Sequence, residues 1–275
     1  MASYKGGMDA VTADTLILSD LHLGSEVSRA RDALQLLRQS SFRRLILLGD
    51  IFADLNFARL KKDHWKFLSF IRKLSNPKRG VEVVWVEGNH DQGLSAVMSH
   101  LVGVRVYHEY RWSYAGVEHL AIHGHQFDDV FVNNGVLGRV GVLLYLHLQK
   151  LDLKGKRFTR SLDGWNTRWL RLSRKVCTGA LAYACRRRAA RVFCGHTHVA
   201  LQVERDGVQY FNCGAWVSEP ATFITVSQEG VCIHEYRDAS HRDPGQERGP
   251  VVAPAAGLAD PPDLLPALQP QGVRG

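Results

Sequence analysis

Five short polar motifs carry the residues of this sequence whose types and spacing suit metal chemistry. They are Asp20-Leu21-His22, Gly49-Asp50, Gly88-Asn89-His90-Asp91, His123-Gly124-His125 and Gly195-His196-Thr197-His198. Their carboxylate, amide and imidazole groups form the mixed oxygen and nitrogen set that suits Mn²⁺, Fe²⁺ or Zn²⁺. Two such ions sharing one carboxylate activate water for attack on phosphorus. The motifs therefore predict a two-metal site that cleaves phosphate esters.

Each motif alone also fits a structural role, since Gly and Asn are common in turns and a histidine pair can lie on the surface. The order of the motifs favours the metal site, because each one follows a segment rich in Val, Ile or Leu. Asp50 is the natural bridging carboxylate, since it is the only acidic residue of its motif. Asp20 and His22 are two positions apart, so an extended backbone would point both side chains the same way.

The apolar segments before the motifs predict the elements that position them. Residues 15–19, 45–48 and 81–86 are short and apolar, as expected for buried parallel strands. Between them, residues 30–37 and 65–74 have apolar side chains at helical spacing. Alternating strands and helices predict an α/β fold with βαβ units, in which ligands gather at the carboxyl ends of the strands.

The second half of the sequence predicts a mostly antiparallel sheet that packs on the first sheet. Its short strands are 117–122, 192–194, 201–203, 209–212, 223–226 and 231–236. A helical insertion, 133–190, separates the first of these strands from the others. Within it, Trp165, Trp169, Leu172 and Val176 follow the spacing of one apolar helix face.

Length and composition predict a globular protein with one large core, or one core and an inserted cap. The 275 residues are 45% hydrophobic and 23% charged. Residues 1–14 form an N-terminal extension without the pattern of a signal peptide. The five cysteines favour buried thiols in a reducing cytosol over a disulfide framework. The tail, 238–275, holds seven of the nine prolines and is predicted to be disordered.

The net charge of +8 comes from one segment of the chain. Residues 139–191 contain fourteen Lys or Arg and two acidic residues, a net charge of +12, whereas the rest of the chain carries −4. This basic segment lies between the motifs at 123–125 and 195–198. A localised positive charge predicts an anionic partner.

The five motifs in this order resemble those of the calcineurin-like metallophosphoesterases. The resemblance covers residues ~15–237 apart from the insertion, and it implies a four-layer α/β/β/α sandwich. It implies a first metal ion held by Asp20, His22, Asp50 and His198. It implies a second ion held by Asp50, Asn89, His123 and His196. His90 would contact the phosphate or protonate the leaving oxygen, and Asp91 would orient the His90 ring.

Three further expectations concern the surroundings of this site. Mn²⁺ is the favoured ion, with Fe²⁺ and Zn²⁺ as alternatives. His125 either joins the site beside His123 or contacts only the substrate. The string Asn212-Cys213-Gly214 resembles the turn of the family that closes the site, with Gly214 in a structural role and Cys213 buried.

Within the family, the single helical insertion and the string His-Gly-His-x-Phe-Asp at 123–128 look closest to the UDP-2,3-diacylglucosamine pyrophosphohydrolases. Those enzymes cleave a pyrophosphate beneath a helical cap that holds acyl chains, beside an anionic membrane. On this resemblance, Trp165 and Trp169 would contact acyl chains. The basic residues Arg168, Arg171 and Lys175 would contact phosphates or lipid headgroups. The protein would then be cytoplasmic and peripheral on the inner membrane surface.

One departure from that branch leaves the substrate open. The best-known members have Arg where this chain has His90, while many other metallophosphoesterases have His. The favoured substrate is a lipid-linked or nucleotide-sugar pyrophosphate. The alternative is a nuclease or nucleotide phosphodiesterase whose basic insertion binds nucleic acid. The alternation of basic and apolar residues in the insertion disfavours this alternative, and the complete set of metal positions disfavours a binding scaffold with a degenerate site. The sequence does not indicate an oligomeric state.

Overall fold

The computed structural model describes residues 11–93, 95–128 and 163–236. Most of the predicted N-terminal extension, the first part of the insertion and the Pro-rich tail lie outside these ranges, so the domain boundaries stay predictions. The strands are β1 (Thr12–Leu18), β2 (Ser41–Leu48), β3 (Glu82–Val86), β4 (Val106–Tyr107), β5 (Tyr110–Tyr114), β6 (Val117–Ala121), β7 (Arg191–Cys194), β8 (Leu201–Arg205), β9 (Val208–Asn212), β10 (Ala221–Ser227) and β11 (Gly230–Tyr236). The α-helices are α1 (Ala30–Gln39), α2 (Lys62–Leu74), α3 (Ser95–Val102) and α4 (Asp163–Arg186). Three 3₁₀ helices are Phe57–Arg59, Pro77–Arg79 and His125–Phe127.

The first sheet contains the predicted βαβ units. Its six strands run in the order β11-β10-β1-β2-β3-β4. Strands β1 to β4 are parallel neighbours, because α1 and α2 return the chain to the same end of the sheet. The carboxyl ends of β1, β2 and β3 therefore lie side by side at one edge. This confirms the α/β fold class and the three strands predicted in the first half.

The second sheet differs from the prediction in three ways, the first being that its edge strand β5 was not predicted. Its order is β5-β6-β7-β9-β8, and β7 pairs in parallel with both β6 and β9, so the sheet is mixed and not mostly antiparallel. The last two strands extend the first sheet, where β10 pairs antiparallel with β1 and places Ile17 opposite Ile224. Without β10 this edge of β1 would expose unpaired backbone groups. A local sequence pattern does not show which sheet edge the hairpin of β10 and β11 pairs with.

Side-chain alternation along the strands produces four packed layers. Residues such as Leu45 pack with α1 and α2 in one hydrophobic cluster. Their neighbours on the opposite face, such as Ile46, pack against Phe193 and Phe211 of the second sheet. A third cluster packs α4 on the far face of that sheet, where Ala180 lies among its members. The three clusters are the three interfaces of the α/β/β/α sandwich, which is confirmed.

Helix α2 corrects one detail of the predicted apolar faces. Its buried residues are His64, Phe67, Leu68 and Ile71, which follow the i, i+3, i+4, i+7 spacing of a helix face. Trp65 lies one residue off this face, and it is 53% exposed. In the described part of the chain, no helix combines the length and apolarity needed to cross a bilayer.

Candidate metal centre

All five polar motifs follow the carboxyl ends of strands, namely β1, β2, β3, β6 and β7. Backbone hydrogen bonds align the first two loops, since Asp20 N donates to Gly49 O at 3.1 Å and His22 N donates to Asp50 O at 3.0 Å. A third bond crosses from the second sheet, where His196 N donates to a carboxylate oxygen of Asp20 at 3.1 Å. Parallel strand ends therefore bring residues that are far apart in sequence to one place.

The backbone of the predicted ligands is held in the left-handed region. Of eight non-glycine residues with positive φ in the described ranges, five are predicted ligands. These five are Asp20 (φ 54°), His22 (φ 46°), Asp50 (φ 50°), His196 (φ 67°) and His198 (φ 56°). The expectation of an extended backbone between Asp20 and His22 is thus wrong, and the left-handed turns make their side chains converge. Such conformations cost about 1–3 kcal/mol each and cluster at functional sites.

Two glycines allow the loops to approach each other closely. A Cβ atom at Gly88 would overlap Asp50 Oδ1 and the Asp50 backbone nitrogen. A Cβ atom at Gly195 would overlap Ser19 Oγ and Asp20 Oδ2. Both motifs therefore need glycine so that the backbone can lie against a carboxylate of the site.

The first group of metal-suited residues is Asp20, His22 and His198, whose ligand atoms all lie within 4.8 Å of one another. His198 Nε2 lies 3.1 Å from Asp20 Oδ1, and His22 Nε2 lies 3.2 Å from His198 Nε2. Two imidazole nitrogens and one carboxylate oxygen thus face a common point. Such a cluster of imidazole nitrogens and a carboxylate oxygen could hold one divalent cation.

The second group is Asp50, His123 and His196, with the same 4.8 Å limit between ligand atoms. His123 Nε2 lies 3.3 Å from Asp50 Oδ2, and the other ring nitrogen, Nδ1, donates to Leu48 O at 2.9 Å. That hydrogen bond places the proton on Nδ1 and leaves Nε2 as the ligating nitrogen. Asp50 also belongs to a third group, with His22 and His90. It therefore lies between the two ends of the site, as a bridging carboxylate must.

Unsatisfied polar atoms test whether these residues fit metal ions. Asp20 Oδ1, Asn89 Oδ1 and His123 Nε2 are buried and make no hydrogen bond. Buried polar atoms are satisfied in nearly all proteins, so each such atom requires an explanation. Divalent cations supply it, because all three atoms are ligand types of Mn²⁺, Fe²⁺ and Zn²⁺. The residues fit the two ions that the sequence predicts.

The ionisation of the site favours cation binding. Burial by itself would raise the pKa of Asp50, but the nearby His123 and His90 hold this pKa well below its usual value. Burial would also raise the pKa of Asp20, but the nearby His198 outweighs this effect and the pKa is lowered. Burial and, to a smaller extent, the neighbouring His123 together lower the pKa of His125 to about 3. At neutral pH the two carboxylates are thus ionised, and the His125 ring is neutral.

His90 lies at the side of this centre. Its backbone N–H donates to Asp50 Oδ1 at 2.8 Å, and its Nδ1 donates to Ala53 O at 2.7 Å. Its Nε2 lies 3.9 Å from Asp50 Oδ2. The ring is therefore fixed with Nε2 towards Asp50.

The expectation that Asp91 orients the His90 ring is wrong. The Asp91 carboxylate accepts hydrogen bonds from the backbone of Ile51 at 3.1 Å and of Phe52 at 3.0 Å. It is buried, and burial together with the charge of Asp50 raises its pKa to about 6. Its contacts hold the loop after β2, whereas the Ala53 carbonyl holds the ring.

The fourth motif places His125 at the edge of the site. Its ring lies 5.6 Å from that of His123, but it joins none of the metal-suited groups found among the described residues. Gln92 Nε2 lies 3.3 Å from His125 Nε2, while His125 Nδ1 is buried without a hydrogen bond. This geometry favours the substrate-contact alternative for His125, which stays a prediction.

The turn after β9 supports the last motif. Asn212 Nδ2 donates to Gly195 O at 2.7 Å and to Thr197 Oγ1 at 3.1 Å. Gly214 has a positive φ of 69°, and Cys213 is fully buried. These contacts hold the loop that carries both histidines of the motif.

Two contacts near the site were not predicted from the sequence. Gln92 follows the third motif by one residue, and Asp128 ends the 3₁₀ helix after the fourth. The Asp128 carboxylate lies 3.2 Å from His196 Nε2. The string at 123–128 contained this residue, but a contact with a histidine 68 positions away has no local sequence signal.

The predicted substrate contacts of the insertion lie on α4. Arg171 and Lys175 are exposed, and with Arg174 they line a groove of about 580 Å³ beside Phe127. Phe127 belongs to the same 3₁₀ helix as His125, so the groove adjoins the motif. The side chains of Trp165, Arg168 and Trp169 lie outside the described residues.

Comparisons with known proteins identify the family of this chain. No curated protein matches the chain. Among solved structures, Vacuolar Protein Sorting 29 from Cryptosporidium parvum is 15% identical, with 82% of this chain and 93% of that chain covered and a TM-score of 0.45. YfcE, a phosphoesterase from E. coli, is 16% identical, with 83% and 94% covered and a TM-score of 0.47. A family model described as calcineurin-like phosphoesterase matches residues 14–200, well over half of the sequence. The chain therefore belongs to the calcineurin-like phosphoesterases, a family of metal-dependent hydrolases.

Proposed function

We propose that this hydrolase uses two divalent ions, with Mn²⁺ favoured, to cleave a phosphodiester or pyrophosphate in a lipid-linked or nucleotide-sugar substrate. One observation carries the proposal, namely that Asp50 is shared between groups of metal-suited residues. Asp20, His22, Asp50 and His198 would hold the first ion. Asp50, Asn89, His123 and His196 would hold the second ion. When bound, the ions would activate water and neutralise charge that develops on the phosphoryl oxygens.

His90 and His125 would act on the substrate. The Ala53 contact fixes the His90 ring with Nε2 towards Asp50, so a protonated Nε2 can donate to the leaving oxygen. The Gln92 side-chain amide donates a hydrogen bond to His125 Nε2. Nε2 is then the acceptor, so the ring proton lies on Nδ1. This buried Nδ1–H, without a hydrogen-bond partner, would donate to a phosphate oxygen.

Metal content and hydrolysis test the two-metal part of the proposal. Asp50→Asn removes the bridging charge, so it should bind fewer than two ions per chain and lose several orders of magnitude in rate with bis(p-nitrophenyl) phosphate. Asp54→Asn is the matched control, because Asp54 lies four residues away and pairs with Arg59. Near-normal activity of Asp50→Asn would overturn the proposal.

The groove on α4 supports an anionic and partly apolar substrate. Arg171, Arg174 and Lys175 supply positive charge beside the Phe127 ring, and the whole segment 139–191 has a net charge of +12. Each Lys or Arg near an anionic lipid surface contributes ~1 kcal/mol to binding. We infer that this region contacts the anionic part of a lipid substrate and docks the protein peripherally on an anionic membrane at its cytoplasmic face.

Liposome flotation tests the lipid class. Binding should require anionic lipid, weaken as salt rises through ~0.1–0.5 M, and fall when Arg171, Arg174 and Lys175 are replaced by Glu. The control replaces three exposed lysines of α2 by Glu, which makes the same charge change on the other side of the sandwich: Lys62, Lys66 and Lys73. Equal binding to neutral liposomes would contradict the membrane part of the proposal.

A hydrolysis assay with two substrates distinguishes the two substrate classes. The protein is incubated with UDP-2,3-diacylglucosamine and, separately, with single-stranded oligonucleotides. Hydrolysis of the lipid-linked pyrophosphate in the presence of Mn²⁺ is expected. Cleavage of the oligonucleotide alone, together with salt-sensitive binding to nucleic acid, would replace this proposal with the nuclease alternative.

A further inference from the structure

Asp128 is a buried carboxylate that the proposed reaction does not use. It ends the 3₁₀ helix His125–Phe127, where its backbone N–H donates to His125 O at 3.0 Å. Its side chain faces His196, and the two residues are 5% and 7% exposed. Burying a carboxylate is costly, and this one lies beside a predicted metal ligand.

The contact involves the outer side of the His196 ring. Asp128 Oδ2 lies 3.2 Å from His196 Nε2, while the His196 backbone is already fixed by its bond to Asp20. Asp128 is not a member of the group formed by Asp50, His123 and His196, whose ligand atoms lie within 4.8 Å. The carboxylate therefore contacts the ring without lying at the centre of the site.

His123 shows the same arrangement with the opposite ring nitrogen. Its Nδ1 donates to Leu48 O, so Nε2, which lies towards Asp50, is the ring nitrogen that can ligate. At His196 the acceptor is a carboxylate and the donor is Nε2, so the proton lies on Nε2 and Nδ1 is the unprotonated nitrogen. A histidine ligates a metal through its unprotonated nitrogen, and its other nitrogen is typically held by such an acceptor.

We propose that Asp128 is a positioning residue that fixes the tautomer and the ring orientation of His196 for the second metal ion. The inference rests on the proposed two-metal function. Outer contacts of this kind typically contribute ~10–100-fold to metal affinity. A carboxylate acceptor also increases the basicity of the ring, which strengthens its bond to the ion.

Titration of metal-free protein with Mn²⁺, followed by electron paramagnetic resonance, tests this role. The natural protein should bind two ions. Asp128→Ala should weaken one of the two binding steps by ~10–100-fold and leave the other unchanged. Asp128→Asn keeps an oxygen that accepts from Nε2, so it should lose less affinity than Asp128→Ala. The unchanged step serves as an internal control for folding.

Glu109→Ala is the matched control variant. Glu109 is a partly buried carboxylate whose Oε2 accepts from the Tyr183 hydroxyl of α4 at 2.6 Å, and it touches no predicted ligand. This variant should bind both ions as the natural protein does. Cobalt substitution adds a second readout, because a positioning residue leaves the number of ligands, and hence the d–d absorption class, unchanged.

Three results would overturn the role of Asp128. The first is unchanged affinity for both ions in Asp128→Ala, and the second is an equal loss of affinity for both ions. The third is a cobalt spectrum of the variant that shows one ligand lost. A natural protein that binds a single ion would instead overturn the proposed two-metal function, so the two failures are distinguishable.

Discussion

The His90 imidazole donates a hydrogen bond from Nδ1 to the backbone carbonyl of Ala53 at 2.7 Å. Because the acceptor is a main-chain atom in the loop after β2, the same loop that carries Asp50 also sets the direction of the ring. Nε2 then lies 3.9 Å from Asp50 Oδ2. The predicted acid and the predicted bridging carboxylate are thus positioned together by one loop.

Replacing His90 by Asn should lower the rate of phosphodiester hydrolysis by ~10²–10⁴-fold, the usual contribution of a positioned acid. Metal content should stay at the level of the natural protein, because the proposed ligand sets do not include His90. Steady-state kinetics and elemental analysis of the same preparation measure both quantities. His90→Arg, which introduces the residue of the best-known branch members, is the companion variant. Loss of an ion in His90→Asn would make His90 a ligand.

Asp91→Ala should destabilise the fold, since Asp91 holds the backbone of the loop after β2. The variant leaves the buried N–H groups of Ile51 and Phe52 without their acceptor, at about 1–3 kcal/mol for each unsatisfied group. Urea denaturation of the metal-free protein measures the free energy of unfolding. Asp63→Ala is the control, because Asp63 pairs with Lys66 at the surface. An unchanged free energy of unfolding with a lost rate would return Asp91 to a role in the chemical step.

Gly88→Ala tests the close approach of two loops. The added Cβ would overlap Asp50 Oδ1 and the Asp50 backbone, so the bridging carboxylate must move and binding of Mn²⁺ should weaken. Gly207→Ala is the control, because a Cβ there meets nothing within 4 Å, although its φ of 75° costs some stability. Isothermal titration with Mn²⁺ compares the two variants. Binding by Gly88→Ala as tight as that of the natural protein would show that the loop adapts without cost.

The residues of the site could be predicted because their chemistry is local in sequence. Each motif directly follows an apolar run, and parallel strand ends meet at one edge of a sheet. What the sequence did not reveal is how the backbone presents these side chains. Asp20 and His22 are left-handed, a conformation that depends on contacts with Gly49 and Asp50 in another loop.

Longer-range features escaped prediction for the same physical reason. The pairing of β10 with β1 depends on which sheet edge needs a partner. The contact of Asp128 with His196 joins residues from loops after different strands. The Ala53 carbonyl is a main-chain acceptor, so no residue type at that position identifies it. Local patterns therefore predicted the motifs and nine of the eleven described strands, missing β4 and β5. The four layers were implied by the family resemblance, and the contacts that support the motifs required the fold.

Thiol reactivity should distinguish two classes of cysteine in the native protein. Cys185 and Cys232 are exposed, whereas Cys177, Cys194 and Cys213 are buried. Burial raises the pKa of Cys177 to about 11 and that of Cys194 well above its usual value. Since the thiolate is the reactive form, at pH 8 two thiols per chain should react rapidly with Ellman's reagent, and all five should react in denaturant.

The buried class also reports on the metal-binding loop. Cys194 ends β7 directly before Gly195 and His196, so its slow reaction measures how often this loop opens. Mn²⁺ should slow it further, because ligand binding stabilises the closed loop. A variant with Cys185→Ser and Cys232→Ser removes the fast phase, and mass spectrometry of labelled peptides then follows Cys194 separately from Cys177 and Cys213. Rapid labelling of Cys194 in the native protein would show that the end of β7 is open, which contradicts the buried site described for His196.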